Sequence, residues 1–191
     1  ARRFKDVIDA FEELANIRDQ EKLKGIGVGC KDWKVVQELD QVVDFDWVMI
    51  ANSLTIMRHP PELLEFLDQL HSKGVHVINS AVLHGGFLSG SEFFDYKKLD
   101  PSNVKDAKRI AWRDKFLTQC DRFGVNFFDA AVTFGLAHPA VGSIALSSSK
   151  PERTKSMVDS TQATIPSNFW QSLLDQKMIQ DEPAILSSLI R

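Results

Sequence analysis

Four short apolar segments alternate with longer segments of helical periodicity, and this alternation restricts the fold more than any other feature of the sequence. The apolar segments lie at residues 23–30, 45–51, 75–78 and 141–146. After each one, directly or beyond a loop, apolar residues recur every three or four positions, which is typical of an amphipathic helix. Strands that alternate with helices pair in parallel and are joined by right-handed crossovers. We therefore predict an α/β protein with a parallel sheet.

Helix boundaries follow from local start and stop signals. Two prolines at 60–61 open one helix, because proline is tolerated in the first turn, and Gly74 closes it at a position that favours a left-handed residue. Residues 91–102 show no period, and we predict an irregular loop there that packs over the strand ends through Phe93 and Phe94. The other predicted helices span residues 3–19, 32–42, 103–123, 126–137 and 151–160, and a last one begins at 165–167.

Two architectures fit four parallel strand–helix units: a doubly wound sheet, or part of a (β/α)8 barrel. The doubly wound nucleotide-binding fold carries the pattern G-x-G-x-x-G between its first strand and helix. The segment GIGVG at 25–29 places its glycines inside a strand and lacks the third one. Small residues inside strands suit a barrel interior, whose side chains interdigitate in layers. A whole barrel needs about 250 residues, so four units supply half of one.

Composition argues against several classes of function. The 191 residues suffice for one domain or part of a larger one, and the net charge of −3 gives no reason to expect nucleic acid or an anionic membrane as partner. No apolar run approaches the roughly 20 residues that span a bilayer. Cys30 and Cys120 lie far apart behind a start that does not look like a signal peptide, so we expect reduced thiols in a cytoplasmic protein. No histidine pair has ligand spacing, so we predict no metal site.

A set of short motifs runs along almost the whole chain in one order and spacing. Its members are GIGVG at 25–29, DFD at 44–46, GVHVINS at 74–80, GGFLSG at 85–90, FGV at 123–125, AHPAV at 137–141 and I-P-x-x-F-W at 165–170. Together they resemble the C-terminal half of the aldo-keto reductases, and within that superfamily the aldose and sugar 1-dehydrogenases (the D-threo-aldose and L-galactose dehydrogenase group). Each motif alone is weak, whereas the whole set in register is specific.

The resemblance implies a (β/α)8 barrel with NAD(P) lying across the carboxyl ends of the strands. A hydride then passes between the cofactor and a carbonyl group or the anomeric carbon of a sugar. The family's catalytic tetrad of Asp, Tyr, Lys and His lies on the first four strands and their loops. Residues 1–191 would be a single domain that forms the fifth to eighth βα units, so no residue here inherits a catalytic role. The chain would be a fragment, a processed product, one of two polypeptides or a degenerate relative. We predict that it is soluble only beside its other half, supplied by a missing segment, a second chain or a symmetry mate.

The segment LSSSKPER at 146–153 is predicted to bind the adenosine end of the cofactor. From the residues alone, a loop that leads into a helix N-terminus is either an anion site or an ordinary helix cap. In the family this segment holds the 2′-phosphate or the ribose, and the resemblance assigns that contact to Ser147, Ser148, Ser149 and Arg153. Ser147 stands where NADP-preferring members often have lysine, so NAD, or use of both NAD and NADP, is favoured.

The glycine-rich loop after the third strand, with the end of the second strand, is predicted to hold the nicotinamide and the pyrophosphate. The resemblance assigns this contact to Asn79, Ser80 and Leu83, with the backbone at Gly86 close to the cofactor. It also matches Asn52 to the nicotinamide carboxamide, which an amide side chain suits because it both donates and accepts hydrogen bonds. From the residues alone, the pattern equally fits a glycine loop at a strand end and an asparagine that ends a strand.

Three other residues bear on the chemistry. His84 lies in the same loop, where it either touches substrate or cofactor phosphate or is structural. Tyr96, the single tyrosine, precedes two lysines in a polar loop where nothing fixes the geometry of proton transfer, so we predict a solvated residue. Met157 stands where many members of the family have an asparagine near the adenine, which leaves that contact unassigned.

We therefore predict an NAD(P)-dependent oxidoreductase that acts on a sugar or on another aldehyde or carbonyl compound, with this chain supplying the cofactor-binding half. Its partners would be the small-molecule substrate and the complementary N-terminal half, on the same or a second polypeptide. The alternative is a non-catalytic interaction or regulatory protein that keeps the reductase scaffold, as the potassium-channel beta subunits resemble it. A tyrosine and a lysine that meet at the strand ends of the intact molecule would distinguish the enzyme.

Overall fold

Four parallel strands form the sheet on which the rest of the chain packs. The computed structural model describes residues 2–190. The strands are β1 (Gly27–Cys30), β2 (Trp47–Ala51), β3 (His76–Ser80) and β6 (Val141–Ala145), and they lie in the order β1-β2-β3-β6. A separate two-stranded hairpin, β4 (Phe93–Phe94) and β5 (Lys97–Lys98), lies between β3 and β6 in the sequence. The predicted α/β fold with a parallel sheet is confirmed.

Helices connect the strands and cover one face of the sheet. They are α1 (Arg2–Asp19), α2 (Trp33–Leu39), α3 (Pro61–Ser72), α4 (Val104–Phe123), α5 (Phe127–Gly135), α6 (Thr154–Ser160), α7 (Ser167–Asp175) and α8 (Pro183–Leu189). Parallel strands in sequential order, joined by right-handed crossovers, place their connecting helices on the same side. Val48, Ile50 and Val77 point to that side and are completely buried. The core therefore lies between this face and the helices.

The opposite face of the sheet is less covered, and large side chains there pack over glycines of the neighbouring strands. Trp47 and Ile78 point to this face and are partly exposed. The ring of Trp47 lies over Gly27 of β1, where an added Cβ would collide with it, and the ring of His76 lies over Gly142 of β6 in the same way. Each large side chain thus occupies the space that a glycine on the neighbouring strand leaves open. This explains Gly27 and Gly142 inside the strands.

Side-chain caps and left-handed glycines determine where the helices begin and end. Asp32 accepts a hydrogen bond from a first-turn amide of α2 at 3.1 Å, and Asn103 and Asn126 cap α4 and α5 in the same manner. Gly74 follows α3 with a φ of 76°, as predicted, and Gly124 ends α4 with a φ of 63°. Glycine adopts this conformation without the steric cost that other residues incur.

Residues 91–102 contain the hairpin β4–β5 and not the wholly irregular loop that the sequence predicted. Asp95 and Tyr96 form its turn, with positive φ values of 50° and 71° that are typical of tight hairpin turns. Its strands have two residues each, so the sequence contains no alternation from which to predict them. Phe94 packs against the core, whereas Phe93 is 40% exposed, so only one of the two phenylalanines packs as predicted.

The C-terminal segment is fastened to the loop after β2 by His59. A further helix, α8, follows α7, which the sequence had predicted to be the last. The ring of His59 accepts a hydrogen bond at Nε2 from the amide of Gln180 (3.1 Å), and its Nδ1 lies 3.0 Å from the carbonyl of Thr55. Burial lowers the pKa of His59, which favours the neutral ring that can accept at one nitrogen and donate at the other.

Asp46 fastens α1 to the beginning of the sheet. Its carboxylate accepts hydrogen bonds from the amide of Ile26 at 2.8 Å and from Nη1 of Arg18 at 3.1 Å. The bond to the buried Ile26 amide is the main cause that lowers the pKa of Asp46, and the Arg18 guanidinium adds to it.

Within residues 2–190, no helix has the length and apolar character needed to cross a membrane. In the same part of the chain, no group of three or more metal-ligating side chains comes together. Both cysteines are free thiols: Cys30 is partly exposed and Cys120 is buried.

Candidate functional site

A cleft of about 1220 Å³ opens at the carboxyl ends of three strands. Ala51, Ser80 and Ala145, the last residues of β2, β3 and β6, line it. The loops that follow these strands, with parts of α5 and α6, form its walls. Parallel α/β folds bind ligands at this end, because the strands fix the position of loops whose sequences are free to carry the chemistry. The cleft is therefore the candidate functional site.

Most of the predicted cofactor contacts line this cleft. The loop after β3 and the loop after β6, which are distant in sequence, both line it. Asn52, Asn79 and Ser149 are not part of its lining. The predicted residues that do line it are Ser80, Leu83, Gly86, Ser147, Ser148 and Arg153. Their contact with a cofactor stays a prediction.

Asn79 lies on the helix side of β3, contrary to the prediction that it faces a nicotinamide. Its side chain is completely buried, and its amide nitrogen donates to the carbonyls of Leu54 (2.8 Å) and Gly135 (2.9 Å). Successive residues of a strand point to opposite faces, so Asn79 and the cleft-lining Ser80 point in opposite directions. Asn79 therefore links β3 to the loop after β2 and to α5.

A buried hydrogen-bond network supports the cleft wall from behind. Oδ1 of Asp95 lies 3.0 Å from Nδ1 of His84, and Nε2 of His84 lies 2.8 Å from Oγ1 of Thr55. The amide of Asn52 is oriented with its nitrogen towards two acceptors. This nitrogen donates to Oδ1 of Asp95 and to the carbonyl of Ala81, at 3.1 Å each. The network therefore joins the loop after β2, the loop after β3 and the hairpin turn.

Two predictions change because of this network. His84 is completely buried and its ring bonds to protein atoms, so the structural alternative for this residue is the one that fits. Asn52 is 5% exposed and its amide is likewise bonded within the protein, so it supports the wall and does not line the cleft. Sequence reasoning missed the network because its members come from three separate loops.

Backbone conformations of high energy are concentrated around the cleft. Positive φ values occur at Asn52, Ala81, His84, Asp95 and Tyr96, between 50° and 71°. A non-glycine residue in this region costs on the order of 1–3 kcal/mol and persists only where surrounding contacts impose it. Such clusters are typical of binding sites, where a fixed loop shape is required.

The glycines of the same loop are needed for its shape. Gly85 and Gly86 have φ values of 68° and 89°, and both line the cleft. With no Cβ, they let the backbone itself form the surface that a ligand would meet.

The loop after β6 presents an unpaired cation to the cleft. Oγ of Ser148 accepts from the amide of Lys150 at 3.0 Å, which closes a local turn, and no side chain caps α6. The helix-cap alternative for this segment therefore does not apply. Arg153 lies in the single 3-10 turn before α6, is exposed, and makes no ion pair with any side chain among residues 2–190. Its guanidinium is therefore available to an anionic ligand.

The first turn of α5 was not predicted as part of the site, and the contact of Met157 on α6 was left unassigned. Phe127, Phe128 and Asp129 in the first turn of α5 line the cleft, as does Met157 of α6. Oγ of Ser160 donates to Oδ1 of Asp129 at 2.6 Å and so joins the two helices. The signal in the sequence is the Asn126 N-cap, which places the following turn at the strand ends.

Tyr96 lies at the rim of the cleft and is 87% exposed. Its position in the tight hairpin turn confirms the prediction of a solvated residue. No packing fixes the phenol in a geometry for proton transfer.

The chain matches the model described as the aldo/keto reductase family over residues 3–176. It is 27% identical to pyridoxal 4-dehydrogenase from Microbacterium luteolum over 173 residues, which cover 88% of this chain and 48% of that protein. It is 23% identical to D-threo-aldose 1-dehydrogenase from a Pseudomonas species over 175 residues, which cover 89% of this chain and 51% of that protein. The chain thus spans about half the length of these curated relatives.

A solved structure shows the same fold. An aldo-keto reductase from Bacillus halodurans, in its apo form, superposes with a TM-score of 0.65 at 20% identity, covering 93% of this chain and 58% of that one. At this identity the likeness concerns the fold alone, whereas the family model spans most of the sequence. The α/β architecture with its parallel sheet agrees with the family match over residues 3–176. The chain belongs to the aldo/keto reductase family.

Proposed function

We propose that this chain is the cofactor-binding half of an NAD(P)-dependent oxidoreductase that acts on a sugar or on another aldehyde or carbonyl compound. The observation that carries the proposal is the cleft of about 1220 Å³ at the carboxyl ends of β2, β3 and β6. The relatives named above are dehydrogenases of an aldose and of pyridoxal, which supports a small carbonyl or hemiacetal substrate. Two free thiols fit a reducing, cytoplasmic location.

The four strands would be the fifth to eighth of a (β/α)8 barrel. Their sequential order and the partly exposed face that carries Trp47 and Ile78 support this, because that face would become the barrel interior. The matched portion, about half of each curated relative, supports it as well. The complementary half, on the same or a second polypeptide, would close the barrel and carry the residues that transfer protons.

The residues that line the cleft fit a dinucleotide. Arg153 supplies an unpaired cation for phosphate, and Gly85 and Gly86 supply a backbone surface that a large ligand can approach closely. Leu83 supplies apolar contact beside the polar Ser80. A dinucleotide held by these residues would supply or accept the hydride that is exchanged with the carbon of the carbonyl or anomeric centre. The residues of this chain would bind it, orient it and exclude water from it.

Preference for NAD, or use of both cofactors, is part of the proposal. Ser147 carries no charge where NADP-preferring relatives often have lysine, which weakens the binding of a dianionic 2′-phosphate. Lys150, three residues on, is exposed and offers a compensating charge that would allow use of NADP as well.

The proposal is tested by fluorescence titration of NADH and NADPH with this chain alone and with its complementary half in place. We expect binding only by the complete barrel, and turnover of aldoses or aldehydes by the same preparation. Arg153→Gln should weaken binding by on the order of tenfold, the value of one charge-assisted hydrogen bond. Lys108→Gln removes an equally exposed cation from α4, outside the cleft, and should leave the affinity unchanged. A complete barrel that binds neither nucleotide would refute the proposal.

The second candidate is a non-catalytic interaction or regulatory protein that keeps this scaffold. It is favoured by Ser147 and Met157, which line the cleft where relatives often have a lysine and an asparagine that contact the cofactor. A complete barrel that binds NADH but turns over no aldose, aldehyde or pyridoxal would support this candidate. Turnover would exclude it.

A further inference from the structure

The wall of the cleft between α5 and α6 has a composition suited to one flat heterocycle. Arg153, Ser156, Met157 and Ser160 recur at spacings of three and four, so they lie on one face of the turn that leads into α6 and of α6 itself. That face is directed at the cleft, and α6 packs against α5. Between the two helices lies a slot that is bounded by apolar side chains, and two carboxylates line it, those of Asp129 and Asp159. Asp159 is paired with Lys155 at 2.7 Å, so Asp129 is the carboxylate that a ligand would meet without a competing cation.

Two apolar side chains of this slot have no place in the core. Phe128 and Met157 are half-buried and line the cleft, yet neither packs against the hydrophobic core within the part of the chain that the structure describes. Phe127, their neighbour in the lining, does pack against the core. A phenylalanine ring and a thioether both contact flat aromatic ligands favourably. Their surfaces are therefore available to a planar ring.

The carboxylate of Asp129 is held in one orientation. Oδ1 of Asp129 accepts the hydroxyl of Ser160 at 2.6 Å, and that hydroxyl also lies 2.8 Å from the carbonyl of Ser156. Asp129 stands in the first turn of α5, where the helix dipole favours its negative charge. Among residues 2–190, no cation pairs with Asp129 and no donor other than Ser160 bonds to it. One oxygen therefore remains as an acceptor at a fixed position.

We propose that Asp129 is a specificity-determining residue that selects adenine over other purines by accepting a hydrogen bond from its 6-amino group. The inference rests on the proposed dinucleotide function and names the residue that reads the base. An ionised carboxylate only accepts hydrogen bonds, so it matches an amino group and repels the carbonyl oxygen that hypoxanthine carries at the same position. Phe128 and Met157 contact the ring, and Arg153 lies one helical turn away for the adjoining ribose and phosphate.

The test compares two cofactors that differ at one group. The complete barrel is titrated, by nucleotide fluorescence, with NADH and with reduced nicotinamide hypoxanthine dinucleotide, in which the 6-amino group is replaced by oxygen. We expect NADH to bind tighter by about tenfold, the loss that follows when a charged acceptor is left without its donor. Equal affinities would overturn the inference, and this measurement needs no variant.

Asp129→Asn supplies the second arm. Ser160 still donates to the amide oxygen, and the amide nitrogen then faces the ring, where it suits a carbonyl oxygen and not an amino group. The variant should bind NADH and the hypoxanthine analogue with about equal affinity, or bind the analogue more tightly. Asp121→Asn, an equal change on the exposed part of α4, should keep the preference of the unaltered protein. If Asp129→Asn binds both cofactors with the preference of the unaltered protein, the inference is overturned while the proposed dinucleotide binding stands. If the complete barrel binds neither cofactor, the proposed function and the inference are both refuted.

Discussion

His84 and Asp95 are bonded in the interior of the loop after β3, with Nδ1 of the ring 3.0 Å from Oδ1 of the carboxylate. The ring of His84 stacks on the ring of Phe94, with the two ring centroids 4.4 Å apart. The guanidinium of Arg109 also packs on Phe94, 4.7 Å from its ring centroid. A hairpin of two-residue strands has little ladder bonding of its own. Buried side-chain contacts therefore hold it, and with it the wall of the cleft.

Asp95→Ala should destabilise the protein by about 2 kcal/mol, because it leaves Nδ1 of the buried His84 without its partner and removes one of the two acceptors of the Asn52 amide. Asp95→Asn keeps an acceptor oxygen and should cost less than half as much. Glu92→Ala, which removes an exposed carboxylate of the same loop paired with Lys98, is the control and should cost almost nothing. The measurement is urea unfolding of the complete barrel; equal costs for Asp95→Ala and Glu92→Ala would contradict the network.

His59 should make the protein less stable as the pH falls. Burial lowers its pKa from the ordinary value of 6.5, so the folded protein keeps the ring neutral. The unfolded chain takes up a proton near pH 6.5 and thus binds more protons than the folded protein below that value. The free energy of unfolding therefore decreases as the pH drops from about 7.5 towards the lowered pKa of His59.

The variant that tests this is His59→Gln, compared with the unaltered protein by urea unfolding at pH 7.5 and 5.5. It should be less stable at both values, since the bond to Gln180 is altered, but its stability should change less between them. His138, whose pKa burial also lowers, accounts for a dependence that remains. An identical pH dependence in both proteins would show that His59 is protonated equally in the folded and unfolded states.

Gly27→Ala should be destabilising by about 1–3 kcal/mol, the usual cost of forcing extra volume into a packed site. A Cβ at this position collides with the ring and the backbone carbonyl of Trp47. Gly29→Ala on the same strand is the matched control, because the nearest atom to its Cβ is the Cβ of Met49 at 3.9 Å. Thermal unfolding of the two variants should therefore separate them, and equal melting temperatures would contradict the packing of Trp47 over Gly27.

Cys120 should resist thiol reagents in the folded protein. Burial raises the pKa of its thiol to about 12, so the reactive thiolate is scarce at pH 8. Titration with a chromogenic disulfide should detect at most one thiol, Cys30, before unfolding and two after it. Cys120→Ala should leave the count in the folded protein unchanged, whereas a lower count would show that Cys120 is the accessible thiol.

Local signals in the sequence were sufficient for the elements and for much of the cleft. Gly74 ends α3 with a positive φ because the chain there needs a residue without a Cβ, which a single position can reveal. Ser80, Ser148 and Arg153 line the cleft because parallel strands bring the loops after their carboxyl ends together. These outcomes depend on nearest neighbours and on the direction of the strands, both of which the sequence contains.

Other contacts depend on side-chain direction and on residues far apart in the chain. Asn79 directly precedes Ser80, yet its side chain points towards the helices. Only the register of β3 against β2 and β6 establishes that Ser80, and not Asn79, is directed at the cleft. Asp129 and Ser160 meet because α5 packs on α6, and no local pattern connects them.

The sequence by itself determined the alternation of strands and helices, most helix ends and the family, because these follow from periodicity, capping and ordered motifs. The tertiary structure decided which polar residues line the cleft and which support it. The physical reason is desolvation: once the ring of His84, the amide of Asn52 and the amide nitrogen of Asn79 are buried, they bond to protein groups, and those partners come from distant loops that only the folded chain brings within reach.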